Sequence, residues 1–235
     1  MYMQDHEIEY VLREFKASTY KAHSKIWKNR SYAPMFIHSE HLKTFHSLIQ
    51  KHYPEYTITF DVIFETDGKE IPWHCDFESL GPFEIKDLWT AIKKEHFLTI
   101  HTNLTPKGGH LKTMNIDWLS YLHGIVNRKY NIFSIPYFIT AYLTKIFEIF
   151  FALSYQSNVG HANVFNNLQT HCVTQGDPRI SYVVRLVKNE IISRNVIENS
   201  TKTSQMCNEF VKFIKYCPKP TYVHDFPWSK VIDDI

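Results

Sequence analysis

His74 and Asp76, two residues apart in the run Trp73-His74-Cys75-Asp76, have types and spacing that suit metal chemistry. On a β-strand, residues two apart face the same way. Both side chains then project together while Cys75 turns aside. An imidazole and a carboxylate supply two metal ligands. A third, facially placed, gives a set of two histidines and one carboxylate, which leaves three positions open on an octahedral ion. His171, His161 (in Gly160-His161-Ala162-Asn163) and His101 compete for that third place. The chain holds 14 histidines, and a histidine that is merely packed or exposed is the ordinary case. The HxD spacing gains its weight from residues much further along the chain.

Asn163–Val173 reads NVFNNLQTHCV, and TQGDPRISYVVRLV comes next. Arg179, Ser181, Val183 and Arg185 share one face of a strand by its period of two, and Ile180, Tyr182, Val184 and Leu186 share the other. A buried guanidinium pairs bidentately with a carboxylate, and a hydroxyl two residues on completes the cradle. The Gly176-Asp177-Pro178 turn folds the arginine strand back, which predicts His171 and Arg179 as antiparallel neighbours. Thr99, His101 and Asn103 also share a strand face. They line either a ligand pocket or an ordinary polar barrel interior.

A late VF-N-N…H-x-V…R-x-S run, preceded by HxD and by the Gly108-Gly109-x-Leu111 turn, resembles the double-stranded β-helix dioxygenases that use iron and 2-oxoglutarate. The resemblance covers residues 56–189. It implies a jelly-roll, cupin-like core, with His74, Asp76 and His171 as Fe(II) ligands and 2-oxoglutarate and O2 as co-substrates. It also implies Arg179 on the distal carboxylate of 2-oxoglutarate, with Ser181 beside it; Thr99 and Asn103, by their shared strand face, are expected in the same pocket. Arg185, further along the same face, is the alternative anchor. The implied reaction hydroxylates an unactivated C–H and releases succinate and CO2. Related halogenases carry a small residue where Asp76 stands, so the carboxylate favours hydroxylation; desaturation and ring chemistry stay open.

Around these residues the chain reads as helices first, then antiparallel strands with one insertion. That order predicts a mainly β sandwich or barrel buttressed by helices. Residues 5–27 and 39–53 have amphipathic helical spacing, the second opened by Ser39 as N-cap and closed by Pro54. Tyr56–Glu65 alternates as a strand. Asp67-Gly68 signals a hairpin into a strand at 70–76. A helix at 84–95, a strand at 96–104, a turn at 105–109, a helical insert at 116–153 and strands at 162–174 and 179–189 follow, with a last helix near 203–216. This divides one domain, 1–235, into N-terminal helices (1–54), a core (55–189, insert about 115–155) and an extension (190–235).

In the insert, Ile139, Tyr142, Leu143, Ile146, Phe147, Phe150 and Leu153 recur at helical spacing. They predict a core-packing helix; the alternative is a lid or a membrane-surface helix. The uncharged run Ile132–Thr144 is too short to span a bilayer. The insert and N-terminal helices are expected over the barrel mouth. His110 reads as a turn or channel residue, Trp73 as packing, and Cys75 and Cys172 as small buried apolar groups.

Composition sets the outer bounds. Hydrophobic residues are 44% and charged residues 21%, and the formal charge is +2. No basic stripe calls for nucleic acid. Cys75, Cys172, Cys207 and Cys217 form no CxxC pair, and MYMQDHEIEY is not a signal peptide. A reducing cytoplasmic setting is expected, with a small-molecule substrate (an amino acid or natural-product intermediate) ahead of a peptide side chain and of nucleic acid. Two other classes fit the same residues: a β-sandwich binding module with incidental histidines, and a metal cupin indifferent to 2-oxoglutarate.

Overall fold

The computed structural model describes residues 1–17, 22–23, 30–35, 40–76, 85–106, 108–129, 135–155 and 158–191. The helix expected near 203–216 and the N-cap at Ser39 lie outside them.

Two antiparallel sheets carry the site. Six strands run in the order β1 (Ala22–His23), β2 (Arg30–Met35), β3 (Tyr56–Thr66), β10 (Arg179–Lys188), β5 (Phe97–Asn103), β8 (Ala162–Asn166). Four run in the order β4 (Ile71–His74), β9 (Thr170–Val173), β6 (Leu111–Met114), β7 (Leu153–Ser154). The inner faces oppose each other: the Phe165 ring from β8 lies 4.9 Å from that of His171 on β9. This is a jelly roll, as the resemblance implies.

Alternation decides which side chains enter the space between the sheets. On β10, Arg179 and Ser181 point inward, while Ile180, Tyr182 and Val184 point out to the helices. There α1 (Asp5–Ala17) and α2 (Lys43–His52) bury Ile8, Val11, Phe45 and Ile49 against Ile58, Ile63 and Val184. Each such side chain contributes roughly 1.5–3 kcal/mol, so this outer layer is the main apolar core. The second cluster packs α3 (Ile85–Lys93) through Leu88 and Ile92 onto Phe97, Leu168 and Cys75.

Inside the first core sits a polar chain. Tyr182 donates to the Asp61 carboxylate at 2.6 Å, and His46 Nε2 lies 2.8 Å from the same hydroxyl. The one phenolic proton goes to Asp61, so His46 Nε2 is the donor to Tyr182. Burial pushes the Asp61 carboxyl well up, and the Tyr182 hydrogen bond opposes that. Tyr182→Phe is expected to cost about 2 kcal/mol, because a buried acceptor loses its donor. Urea denaturation checks this; a midpoint equal to wild type would mean the network contributes nothing.

Several expectations need correction. The first helix stops at Ala17 and a short strand, β1, begins at Ala22. Asp67-Gly68 does turn the chain, with Gly68 at φ 86°, but β3 and β4 are not a hairpin. β3 pairs with β10 and β4 pairs with β9, so the turn passes the chain from one sheet to the other. The stretch 162–174 is two strands, β8 and β9, in different sheets. For the same reason His171 and Arg179 are not strand neighbours; they stand in different sheets, on β9 and β10.

The insert forms α4 (Asp117–Lys129) and α5 (Ile135–Phe151). α5 is not a core helix. Tyr142, Ile149 and Phe150 are 68%, 79% and 73% exposed. What α5 buries is Thr140 and Thr144, with Thr144 Oγ1 2.7 Å from His123 Nε2 of α4. Nor does α5 cover the barrel mouth. Thr113 and His171 are register partners facing inward, so Lys112 and Cys172 face out. Glu148 of α5 bonds Lys112 Nζ at 3.1 Å and Trp73 Nε1 at 3.0 Å on that outer face. α1 and α2 lie behind the other sheet.

Candidate metal centre and anion pocket

His74 and His171 are direct register partners on β4 and β9, their rings 4.3 Å apart. The register slips between Ile71 and His74, where Pro72 cannot donate to the ladder. This bulge lets Ile71 and His74 both face inward although three residues apart. β4 ends at His74, and Asp76 follows beyond the strand, held by its N–H to the Asn167 carbonyl at 3.0 Å. The HxD pair therefore converges by a strand end plus a backbone tether, not by strand alternation alone.

Three donor atoms, one each from His74, Asp76 and His171, lie within 4.8 Å of one another. Asp76 Oδ1 is 3.7 Å from His74 Nε2 and 3.9 Å from His171 Nε2. Both Nδ1 atoms are committed to the backbone, His74 to the Pro72 carbonyl at 2.7 Å and His171 to the Gln169 carbonyl at 2.8 Å. A neutral imidazole that donates from Nδ1 presents a lone pair at Nε2, as a metal-binding histidine requires. The second carboxylate oxygen, Asp76 Oδ2, accepts from Arg185 at 2.8 Å. That pairing turns Oδ1 toward the imidazoles. The donor set fits a facially bound divalent ion such as Fe(II).

One turn does much of this positioning. Residues 167–169 link β8 to β9. The Asn167 carbonyl pins the Asp76 backbone, and the Gln169 carbonyl pins the His171 ring. Asn166 fixes the turn, with its Nδ2 on the Ile92 carbonyl and its Oδ1 on the Leu168 N–H. The NNLQ run thus positions two of the three candidate ligands.

Arg179 stands at the other end of the interior. It is 4% exposed, and its Nη1 donates to the Gly109 carbonyl at 3.0 Å. Its buried Nε has no hydrogen-bond partner among the described residues. Burial lowers its pKa from the usual 12.5 to about 10. A buried cation with an unsatisfied donor is costly unless an anion reaches it, so the site suits a carboxylate. Gly108 and Gly109 make room for the guanidinium. A Cβ at Gly108 would sit 2.8 Å from Arg179 Cδ, and one at Gly109 2.9 Å from Nη1 and in collision with the Thr174 carbonyl.

Between the two ends, Ile71, Leu111, Val173 and Phe165 pack with Tyr155, whose hydroxyl accepts from Thr113 at 3.3 Å. From His171 to Val173 along β9 is about 7 Å, close to the length of a five-carbon diacid. Ser181 donates to Asn103 Oδ1 at 3.1 Å, and Thr99 lies across from Arg185 and Phe165, buried. Ser181, Asn103 and Thr99 all face this interior.

Arg185 is engaged with Asp76, at the metal end. Neither rival ligand joins this cluster. His161 bonds Asn163 and stacks edge-on against Tyr2, and His101 shares the inward face of β5 with Thr99 and Asn103, in register with Val183 and Asn163. His110 is exposed, near the Tyr155 carbonyl. Cys75 and Cys172 are buried, and burial raises both thiols, Cys172 to about 12. Sequence reasoning missed Tyr155 and Thr113. Thr113 is legible in hindsight as the residue two past Leu111; Tyr155, beyond the insert, carries no local signal.

No protein-family model and no curated protein matches the chain. Solved structures do. The non-haem alpha-ketoglutarate-dependent epimerase SnoN from nogalamycin biosynthesis matches at 12% identity and TM-score 0.51, covering 79% of this chain and 75% of its own. SnoN in complex with Fe3+, alpha-ketoglutarate and nogalamycin RO matches at 12% identity and TM-score 0.51, covering 79% and 76%. At that identity the likeness establishes a shared fold.

Proposed function

We propose that the chain is an Fe(II)- and 2-oxoglutarate-dependent oxygenase that hydroxylates a small molecule. The observation that carries this reading is the convergence of the three donor atoms, with both histidine Nδ1 atoms already committed to backbone carbonyls. His74, Asp76 and His171 would hold the ion. Fe(II), when bound with 2-oxoglutarate, activates O2 for attack on a C–H bond while the co-substrate is decarboxylated to succinate and CO2.

The rest of the chemistry belongs to the chain's own side chains. Arg179 receives the distal carboxylate, which satisfies its idle donor and offsets its desolvation. Thr113 and Tyr155 flank the path between Arg179 and the metal ligands. Arg185 holds Oδ2 of Asp76, so this carboxylate offers one oxygen. Phe165 walls the imidazole of His171 and helps keep the interior dry, which sharpens every electrostatic contact inside it. Thr99, Asn103 and Ser181 supply polar groups along the six-stranded sheet. The fold neighbour SnoN was solved with nogalamycin RO, which supports a small-molecule substrate. SnoN is an epimerase, which makes the fate of the substrate C–H the point to test.

Anaerobic titration with Fe(II) and then 2-oxoglutarate tests the reading. The expected result is a weak visible charge-transfer band of the chelate, followed, on adding O2 and an accepted substrate, by equal yields of succinate and a product heavier by one oxygen. Iron binding with no band would favour a metal cupin indifferent to 2-oxoglutarate. No iron binding would overturn the assignment of the site. With an external reductant present to take the second oxygen atom to water, succinate release with a product of unchanged mass would replace hydroxylation by epimerisation.

A further inference from the structure

The outer side of α5 is out of keeping with a water-facing helix. Nine large apolar side chains between Ile135 and Leu153 are more than a third exposed. Ile135, Phe138, Tyr142, Ile146, Ile149 and Phe150 follow the three-and-four spacing of a single stripe. Soluble monomers rarely leave a contiguous apolar patch of more than a few hundred square ångströms open to water.

Charge marks the occupant. The acid of α5, Glu148, is turned to the sheet, where Lys112 and Trp73 hold it. Lys145, one helical turn away and paired with Glu148 Oε2 at 3.7 Å, is 67% exposed at the edge of the stripe. The exposed arc is therefore apolar and aromatic, bordered by a cation, with no carboxylate turned to solvent from α5. Trp118 of α4, 45% exposed and edge-on to Phe147 at 5.3 Å, adds an indole beside it. Among the described residues no helix is long and apolar enough to cross a membrane. α5 has 17 residues, where a span needs about 20.

We infer that α5 is an interfacial helix that lays this stripe on an anionic lipid bilayer. Its apolar residues enter the headgroup–acyl boundary, and Lys145 stays among the lipid phosphates. Tyr142 and Trp118 are the residue types that settle at that depth. The inference does not depend on the metal centre, because α5 sits behind the four-stranded sheet, away from the site.

Sedimentation of the full chain with vesicles tests it. The chain is expected to pellet with vesicles of phosphatidylcholine and phosphatidylserine, and less with phosphatidylcholine alone. Ile149→Asp with Phe150→Asp is expected to weaken binding at least tenfold, and Lys145→Glu to abolish the preference for phosphatidylserine. A chain that stays in solution with both vesicle types overturns the inference. So does a dimer that the Ile149/Phe150 variant splits, which would assign the stripe to a second copy. A milder pair, Ile149→Ser with Phe150→Ser, guards against misfolding. If that pair lowers the melting temperature sharply, the stripe is covered by the chain itself and the inference falls.

Discussion

Asp76→Ala is expected to lose Fe(II) binding by at least a hundredfold and to abolish turnover, while the protein stays folded. Two forces act at this carboxylate, and they differ in size. Toward the ion, Asp76 is one of three donors, and even residues that only orient such donors are each worth about 10–100-fold in metal affinity. Losing the donor itself must cost more. Toward the fold, Asp76 pairs with Arg185, and the two side chains are 25% and 19% exposed. Water reaches both, so the pair is worth on the order of 1 kcal/mol, as exposed pairs are, and not the several kcal/mol of a sealed one. The Asn167 tether to the Asp76 N–H is backbone and survives the substitution. Iron titration and a thermal melt on the same sample separate the two effects. Wild-type iron affinity in the variant would remove Asp76 from the site; collapse of the fold would show the Arg185 pair to be structural.

How the site is assembled explains what the sequence could and could not disclose. The face of each strand is a local property, because the pleat has a period of two. Arg179 and Ser181 against Ile180 and Tyr182 is therefore legible residue by residue. Sheet membership is not local. Nothing in Asp67-Gly68 distinguishes a hairpin from a crossing between sheets, since both need a reversal that tolerates positive φ. β4 goes to β9 because Ile71 and His74 meet Val173 and His171 there, more than ninety positions downstream by sequence numbering. The supposed adjacency of His171 and Arg179 fails for the same reason, yet the two ends of the pocket are still set by β9 and β10. α5 shows the matching limit for helices. Its spacing defines an apolar face but not what that face meets, and the core side proves to be Thr140 and Thr144.

Arg179→Met is expected to raise the 2-oxoglutarate concentration needed for half-saturation by two to three orders of magnitude, without lowering the stability of the ligand-free protein. Truncating one partner of a buried, hydrogen-bonded charge pair costs about 2–5 kcal/mol, and tenfold in affinity is 1.4 kcal/mol. The stability half of the expectation comes from the cost of burying the charge. The folded-state pKa, about 10, lies below the usual 12.5, so folding disfavours the charged form. That penalty is full while pH is below about 10 and fades above it, where the folded guanidinium loses its proton before the unfolded one does. It is constant across the neutral range, so the comparison needs no pH control there. Methionine removes the buried charge and keeps most of the packing volume, which offsets loss of the Gly109 hydrogen bond. Wild type should therefore gain melting temperature on adding 2-oxoglutarate with metal, and Arg179→Met should not. Two companions locate the effect. Arg185→Ala should weaken iron through Asp76 and leave the 2-oxoglutarate requirement of the iron-saturated protein unchanged. Gly109→Ala should raise that requirement with Arg179 still present, because its Cβ would crowd Nη1 and the Thr174 carbonyl. If the requirement follows Arg185 and ignores both Arg179 and Gly109, the anion pocket lies at the metal end of the barrel.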